Sequence, residues 1–391
     1  MLRATRIILF AAALGTLCWV YTWQKRRPSQ LYVIDRSRSA GPSDGGHADS
    51  RYEFSQTPSR LTSTIAPQGL GGRRPAWIHL LEPKELYEWV AFPVLVSLRE
   101  GLESFGLEVK STYGYDTSEV VVGVRESVLL NVTPIVIVAW WHLAKPHARS
   151  PLTELSMHGA YLILYNTEPK RQTLQKVVSV AHQCEAKEIW DYSQANIRYY
   201  TAKHVQEWKR AVVRFVPPGC ARALSVNVSS NSASRDEDHI GFIGAWPEKM
   251  FRKPYNRSAS GRIKDGSGVD RDVRTMADWR LFLERYPVQI NLHSFSNMVL
   301  AMEALRLAML LTNHVCLLSE PSNPLDDEVW SKAVRLVPRG TMRTLSNELL
   351  GNSTAIRNCQ EQCHASFCSV FSPRQILRDS GFEHVLRTLD T

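Results

Sequence analysis

Short apolar runs alternate with helical patterns from residue 75 onward. This alternation is typical of parallel sheets flanked by helices. Apolar positions with helical spacing predict helices near 84–105, 170–184 and 297–311. The expected fold class is therefore α/β. The apolar runs predict strands at 76–81, 120–124, 134–141, 161–165, 212–216, 240–245, 288–293 and 314–319.

A polar stretch separates the predicted elements into two halves. Residues 221–238 are rich in serine and charged residues, as expected of a linker between domains. We therefore predict an N-terminal Rossmann-like domain over 75–220 and a C-terminal one over 239–391. The clearest unit is 288–320, because it fits strand, helix and strand, the pattern of a βαβ crossover. Two such domains are expected to face each other across a cleft.

The N-terminal region carries a candidate membrane anchor. Residues 7–23 form an uncharged, mostly apolar run between Arg6 and the basic residues at 25–27. A run of this length is at the short end for a helix that spans a membrane. The alternative is a cleaved signal peptide, but the aromatic end of the run has no small-residue cleavage site. We predict a cytoplasmic tail over 1–6, a signal-anchor over 7–23 and a disordered stem over 24–74. The stem is predicted because 24–74 is rich in Gly, Pro, Ser and Thr.

The net charge limits which classes of function are compatible with the chain, and the cysteine content indicates its cellular compartment. The formal net charge is +9, but only +2 of it belongs to residues 75–391, so a basic nucleic-acid surface on the folded part is excluded. Six of the seven cysteines and four N-x-S/T sequons lie beyond residue 23, which is typical of an oxidising lumen. We predict a single-pass type II protein of the Golgi or ER membrane with a lumenal folded part. The alternative is a reversed orientation, because more basic residues follow the apolar run than precede it.

Polar residues gather where the predicted strands end, and open α/β sheets bind ligands at that edge. The helix predicted at 297–311 is apolar nearly all round except for Glu303 and Arg306, which share one face. The two residues either form an ion pair with each other within the buried helix or face a ligand cleft. Five predicted strand ends carry aromatic or hydrogen-bonding groups, namely Trp141 with His142, 166–168 ending in Glu168, Trp246, His293 with Ser294, and Ser319 with Glu320.

Seven short segments carry a family resemblance. They are LILYNTEP at 162–169, EIWDYSQAN at 188–196, VPPG at 216–219, IGFIG at 240–244, QINLH at 289–293, MEAL at 302–305 and LLSE at 317–320. In this order the series resembles the GT-B glycosyltransferases of the group-1 type, particularly the CgeB-like, spore-maturation-type branch. The resemblance implies a GT-B fold of two Rossmann-like domains and a nucleotide-sugar co-substrate held mainly by the C-terminal half. It implies no obligatory metal and no further cofactor.

The resemblance also implies how the second half binds a donor. Glu303 matches the glutamate of the family's "EA" helix, which is expected to accept hydrogen bonds from a ribose or sugar hydroxyl. Basic side chains, and the N–H groups at the start of that helix, are expected to meet the diphosphate. The candidate donor-binding residues are Glu303, Glu320, Arg306, His293, Ser294 and Lys249.

We therefore expect a glycosyltransferase that moves a sugar from a nucleotide sugar to a glycan, glycoprotein or glycolipid acceptor without a metal ion. The candidates for a general base in the first half are Glu168, Asp191 and His142. The alternative is a non-catalytic lumenal carbohydrate-binding or scaffold protein on a decayed transferase fold. Two departures from the family favour this alternative. The position eight residues before Glu303 is Phe295 where many group-1 enzymes carry glutamate, and a loop-like stretch at 257–268 replaces a basic helix.

Two groups of residues mimic metal sites. Asp236 and Asp238 resemble the D-x-D motif of metal-dependent transferases, but they follow a polar stretch and not an apolar strand, so a solvated linker is favoured. The second group fits no common zinc framework, and disulfides near the C-terminus are the favoured interpretation, with the pairing left open. It comprises Cys359, Cys363, His364 and Cys368.

Overall fold

A computed structural model describes nine stretches of the chain. These stretches belong to one compact unit that spans residues 65–391. The predicted tail, signal-anchor and stem lie outside the described residues, as does most of the predicted linker. Among the helices that the structure describes, none is long and apolar enough to cross a membrane. The described residues are 77–82, 88–113, 117–139, 146–168, 171–203, 211–226, 240–242, 276–293 and 301–389.

A six-stranded parallel sheet forms the first half of the described chain. Its strands are β1 (Trp77–Glu82), β2 (Glu108–Tyr113), β3 (Ile135–Ala139), β4 (Tyr161–Asn166), β5 (Glu188–Asp191) and β6 (Val212–Phe215), in the order β2-β1-β3-β4-β5-β6. The helices between them are α1 (Glu88–Glu103), α2 (Ser118–Leu129), α3 (Pro146–Met157), α4 (Arg171–Gln183) and α5 (Gln194–Lys203). The chain order reverses between β1 and β3, so the carboxyl ends of these strands border the crevice where such sheets bind ligands.

A smaller parallel sheet forms the second half. Its strands are β7 (Val288–Asn291), β8 (Cys316–Ser319) and β9 (Arg335–Leu336), and Gly241 pairs with Gln289 to add residues 240–242 beside β7. The accompanying helices are α6 (Met276–Arg285), α7 (Ala304–Thr312), α8 (Pro324–Trp330), α9 (Arg339–Leu349) and α10 (Ser353–Val370). Both sheets are parallel and flanked by helices, which confirms the predicted α/β class.

The last two helices, α11 (Pro373–Asp379) and α12 (Phe382–Leu389), return the chain to the first half. Gly101 of α1 lies so close to α11 that a Cβ there would stand 2.9 Å from the carbonyl oxygen of the first residue of α11. The ring of Phe382 meets the edge of the fully buried Trp190 ring of β5, with centroids 5.3 Å apart. The C-terminal helices therefore contribute to the core of the first half.

Two disulfides hold α10 to both halves. Cys316 of β8 is bonded to Cys359, near the start of α10. Cys220, which follows β6, is bonded to Cys368 near the end of α10. The prediction of disulfides near the C-terminus is confirmed, and their pairing is now assigned.

The strand predicted at 120–124 is wrong, because these residues lie within α2. The three successive valines favour a strand by their branched side chains. The buried positions of α2 follow helical spacing instead, and the backbone at Gly123 passes directly under the Trp77 ring of β1. Burial of one helical face against the sheet therefore overrides the local preference. The buried residues are Val120, Val121, Val124 and Ser127.

The helix predicted at 297–311 begins later than expected. It is α7, whose first residue is Ala304, and residues 301–303 are not helical. Residues 294–300 lie outside the described part of the chain. Glu303 thus occupies the cap position immediately before the helix and not a position within it. Strands β2, β5 and β9 were not predicted.

Candidate functional site

Five polar side chains meet where β7 and β8 end and α7 begins. Because the two strands are parallel, their carboxyl ends lie at the same edge of the sheet. Asn291 ends β7, and the loops after the strands and the cap of α7 supply most of the other groups. We call these residues the His293 cluster, and its members are Asn291, His293, Glu303, Arg306 and Glu320.

His293 is held in a form that favours a charged ring. Its Nδ1 lies 3.2 Å from Glu303 Oε2, and its Nε2 lies 3.1 Å from the carbonyl oxygen of Glu320. Both oxygens are acceptors, so their positions beside the two ring nitrogens favour the protonated ring. Burial lowers the pKa of His293, but the interactions with Glu303 and then with Glu320 together more than offset it, so the pKa lies above its ordinary value.

Glu303 lies beside two cations. Arg306 Nη1 is 3.9 Å from Glu303 Oε2 and donates to Asn291 Oδ1 at 2.9 Å. Burial raises the pKa of Glu303, but the charge of Arg306 and then the bond and charge of His293 bring it below its ordinary value. The side chains of Glu303 and Arg306 keep 25% and 20% of their exposure. Glu303 Oε2 itself is buried, so the exposed surface of the pair comes from other atoms of the two side chains.

The charge of His293 predicts a pH dependence of stability. A group whose pKa is higher in the folded than in the unfolded state stabilises the fold fully below the unfolded value, here 6.5, and this stabilisation is lost as the pH rises through the folded value. The urea midpoint is therefore expected to fall as the pH rises above 6.5, and to fall less steeply in His293→Gln. Parallel slopes for the two proteins would contradict a charged His293.

Asp191, the last residue of β5, is enclosed by hydrogen-bond donors. Its carboxylate accepts from Asn166 Nδ2 at 2.7 Å, Ser193 N at 2.9 Å, Asn196 Nδ2 at 3.0 Å and the Tyr200 hydroxyl at 2.9 Å. Burial raises the pKa of Asp191 to about 7, although these hydrogen bonds lower it. The residue has no exposed surface, so it acts on a ligand only through its neighbours.

One of these neighbours is Asn166, which connects Asp191 to Glu168. Asn166 Nδ2 donates to the carbonyl oxygen of Glu168 at 2.9 Å, and its Oδ1 accepts from the Glu168 N–H at 3.2 Å. Glu168 is half-buried, whereas Asn166 and Asp191 are fully buried. The buried pair thus fixes the backbone of a carboxylate that reaches the surface after β4.

The structure brings together the predicted residues Glu303, Arg306, His293 and Glu320 in one cluster. It places Glu168 and Asp191 at the carboxyl edge of the larger sheet. Three predicted site residues lie outside the described part of the chain, so their roles stay predictions; they are His142, Ser294 and Lys249.

Sequence reasoning missed two buried residues of this region, Asn291 and Asp326. Asn291 ends the QIN segment of β7 and could have been found by the strand-end rule. Asp326 lies in α8, which begins with Asn323 as its N-cap and Pro324 as its first residue. This pattern signals a helix start, and it directs attention away from the tertiary contacts that Asp326 makes.

Within the described residues, one group has the proximity required of metal ligands. Cys220, His364 and Cys368 place a ligand atom each within 4.8 Å of the others. The two sulfur atoms are bonded to each other, which removes both thiolates as ligands. A metal-ligand role therefore does not fit this group in its disulfide form.

No protein-family model matches the sequence, and no curated protein matches it. Solved structures to which the chain is similar include Anabaena HepE in complex with UDP-glucose. That match has 10% identity and a TM-score of 0.48, and it covers 78% of this chain and 99% of the other. A second is the S. aureus MnaA–UDP structure, with 10% identity, a TM-score of 0.40, and coverage of 80% and 97%. Both TM-scores lie below 0.5.

Proposed function

We propose that the chain is a GT-B glycosyltransferase that moves a sugar from a nucleotide-sugar donor to a glycan, glycoprotein or glycolipid acceptor. The His293 cluster carries this proposal, because it holds the Glu303 carboxylate beside Arg306 and His293 at the carboxyl edge of a parallel sheet. A nucleotide sugar needs this combination. Carboxylate oxygens accept hydrogen bonds from ribose or sugar hydroxyls, and cations bind the diphosphate.

The proposed donor chemistry follows from these charges. Transfer breaks the bond between the anomeric carbon and the diphosphate, so negative charge grows on the leaving diphosphate. The Arg306 guanidinium and the His293 imidazolium are fixed before the reaction, and preorganised charges of this kind stabilise a developing anion best. Lys249 and the backbone N–H groups near Ser294 belong to the same proposal. These groups take the part that a metal ion plays in other transferases.

The acceptor is proposed to bind at the carboxyl edge of the larger sheet. A general base for its hydroxyl comes from the three candidates Glu168, Asp191 and His142. The complete burial of Asp191 favours Glu168, which keeps exposed surface after β4. Asp191 then acts as a positioning residue, because it holds Asn166 and, through Asn166, the backbone of Glu168.

The compartment is part of the same proposal. A single-pass type II anchor over 7–23 would hold the folded part in the lumen of the Golgi or ER. The two disulfides support an oxidising compartment, because reduced cytosolic proteins rarely keep them.

Replacing Glu303 with glutamine is expected to weaken donor binding by about 10- to 100-fold, because a hydrogen bond to a charged group contributes roughly 1.5–3 kcal/mol. Titration calorimetry with a panel of UDP- and GDP-sugars measures the change. The matched control is Glu348→Gln, which alters an exposed carboxylate of α9 and is expected to bind like the wild type. Equal affinity in Glu303→Gln would remove Glu303 from the donor site.

The decisive experiment is donor hydrolysis and binding by the full-length protein in detergent, with and without EDTA, across the nucleotide-sugar panel. Donor turnover that survives EDTA supports the proposal and identifies the donor. Activity abolished by EDTA would direct attention to a metal site, with Asp236 and Asp238 as the first candidates. Failure of every donor to bind a folded sample would contradict the proposal.

A non-catalytic carbohydrate-binding or scaffold protein is the second candidate function. Phe295 favours it, since this position would carry a carboxylate in many enzymes of the family that the sequence resembles. Saturable binding of a nucleotide or a glycan without turnover in the same experiment would identify this second function.

A further inference from the structure

Asp326 connects the two halves at the edges where the proposed substrates meet. It is the third residue of α8 and has no exposed surface. From the first half it accepts the Ser193 hydroxyl at 2.7 Å and the Gln194 N–H at 2.7 Å. From the second half it accepts the Met302 N–H at 3.1 Å and Asn323 Nδ2 at 2.9 Å. Four donors from three segments of the chain thus converge on one buried carboxylate.

Three of these donors are near neighbours of proposed site residues in the chain. Ser193 and Gln194 follow Asp191, with Gln194 as the first residue of α5, and Met302 immediately precedes Glu303. We propose that Asp326 is a positioning residue of the proposed transfer. It fixes the position of residues 191–194 relative to residues 301–303. The carboxyl edge of the larger sheet, where the acceptor is proposed to bind, and Glu303 can then face the same bound donor. This inference rests on the proposed function.

Helix capping does not explain the contacts of Asp326. The side chain of Asn323 already caps α8, because its Oδ1 accepts from the N–H groups of Leu325 and Asp326. The neighbouring Asp327, by contrast, makes local hydrogen bonds of this kind: its carboxylate accepts from the N–H and the hydroxyl of Ser322 at 2.7 and 2.9 Å. The carboxylate of Asp326 is directed instead to segments more than 20 and more than 130 residues away in the chain.

Tyr192 lies where the carboxylates of both halves converge. The residue is 3% exposed and belongs to the core cluster that includes Met302. Burial raises the pKa of its hydroxyl well above the ordinary value, and the charges of four carboxylates add to the increase. Two of these groups belong to the first half and two to the second: Asp191, Glu168, Asp326 and Glu303. This agrees with a single junction between the two edges.

The substitution Asp326→Asn tests the inference, because it keeps the shape but turns an amide group toward N–H donors. Affinity for UDP, GDP and their sugar conjugates is expected to fall by about 10- to 100-fold, the loss typical of a displaced binding group. The matched control Asp327→Asn is expected to stay within about twofold, because its contacts are local. A second control, Glu188→Gln, replaces a buried carboxylate of β5 by an amide. It is expected to reduce the stability of the fold without reducing the affinity for nucleotides.

Hydrogen exchange without nucleotide separates this inference from the proposed function. In Asp326→Asn, exchange is expected to rise together in peptides covering 192–200 and 301–306, while peptides covering β3 keep the wild-type rate. If only one segment responds, Asp326 does not couple the two. If both respond but nucleotide affinity is unchanged, the contact is structural and the positioning role is overturned. If the wild type binds no nucleotide, the proposed function fails, and the exchange result alone decides whether the two segments are coupled.

Discussion

Replacing Glu188 with alanine is expected to lower the free energy of unfolding by about 3 to 5 kcal/mol, as is typical when one partner of a buried ion pair is removed. Glu188 begins β5 and has no exposed surface. Its carboxylate accepts from the Tyr161 hydroxyl at 2.8 Å, Trp190 Nε1 at 2.6 Å and Arg214 Nε at 2.7 Å. The substitution leaves the Arg214 guanidinium, which is 17% exposed, without its carboxylate partner, and the Trp190 and Tyr161 donors without this acceptor.

The loss extends to the C-terminal helices, because Arg214 Nη1 also donates to the carbonyl oxygen of Ser380 between α11 and α12. Urea unfolding measures the change, provided that the slope of the transition stays constant. Glu188→Gln keeps one acceptor and is expected to lose less. Glu108→Ala removes a carboxylate that is 75% exposed, so its expected cost is close to zero. A loss for Glu188→Ala as small as that of Glu108→Ala would show that the buried pair contributes nothing.

Buried strands made of apolar residues could be predicted from the sequence. All five residues of β3 are buried, and the run IVIVA carries β-branched side chains that fit a sheet covered on both faces. The same holds for β4, where only the first residue keeps partial exposure. Parallel strands in a helix-covered sheet present long apolar runs, and this is why the α/β class could be predicted.

Strand β5 could not be predicted, because its burial depends on partners elsewhere in the chain. Its four residues begin and end with the carboxylates of Glu188 and Asp191, and both are fully buried. The first requires Arg214 from β6, and the second requires Asn166 from β4. A pattern of hydrophobic and polar positions assigns such residues to the surface, since it holds no record of these contacts.

Some residues of the candidate site could likewise be located from the sequence, whereas others could not. The rule that ligands bind at the carboxyl ends of strands located His293 and Glu320. The apolar pattern of the predicted helix singled out Glu303 with Arg306, and the resemblance gave Glu303 a donor-binding role. The ring charge of His293 needs the spatial approach of Glu303, which periodicity placed on a helix face and the structure places at a cap. Asp326 was missed because its partners in the first half are more than 130 residues away, whereas its local pattern indicates only a helix start.

Loss of the Cys220–Cys368 disulfide is expected to destabilise the fold more than loss of Cys316–Cys359. The cysteines are 148 and 43 residues apart in the two cases. In the chain-entropy model, closing these loops in the unfolded state contributes about 5 and about 4 kcal/mol, respectively. The shorter loop lies within the longer one, and this nesting changes the larger value by only about 0.3 kcal/mol. The outer disulfide therefore has the larger expected effect.

The two bonds also differ in what they hold, and this makes the comparison informative. Replacing Cys220 and Cys368 by serine removes the covalent link between the end of α10 and the first half, whereas replacing Cys316 and Cys359 removes the link between α10 and β8. Urea unfolding of each double variant measures the loss. Among the described cysteines, Cys184 and Cys363 are free, and burial raises the pKa of both thiols, so few thiolates exist to exchange with the remaining bond. A larger loss for the Cys316–Cys359 variant would contradict the entropic account and would indicate that contacts between α10 and the smaller sheet dominate. If the Cys220–Cys368 bond contributes more, as expected, the fold depends on an oxidising compartment most where the end of α10 leads through α11 and α12 back to the first half.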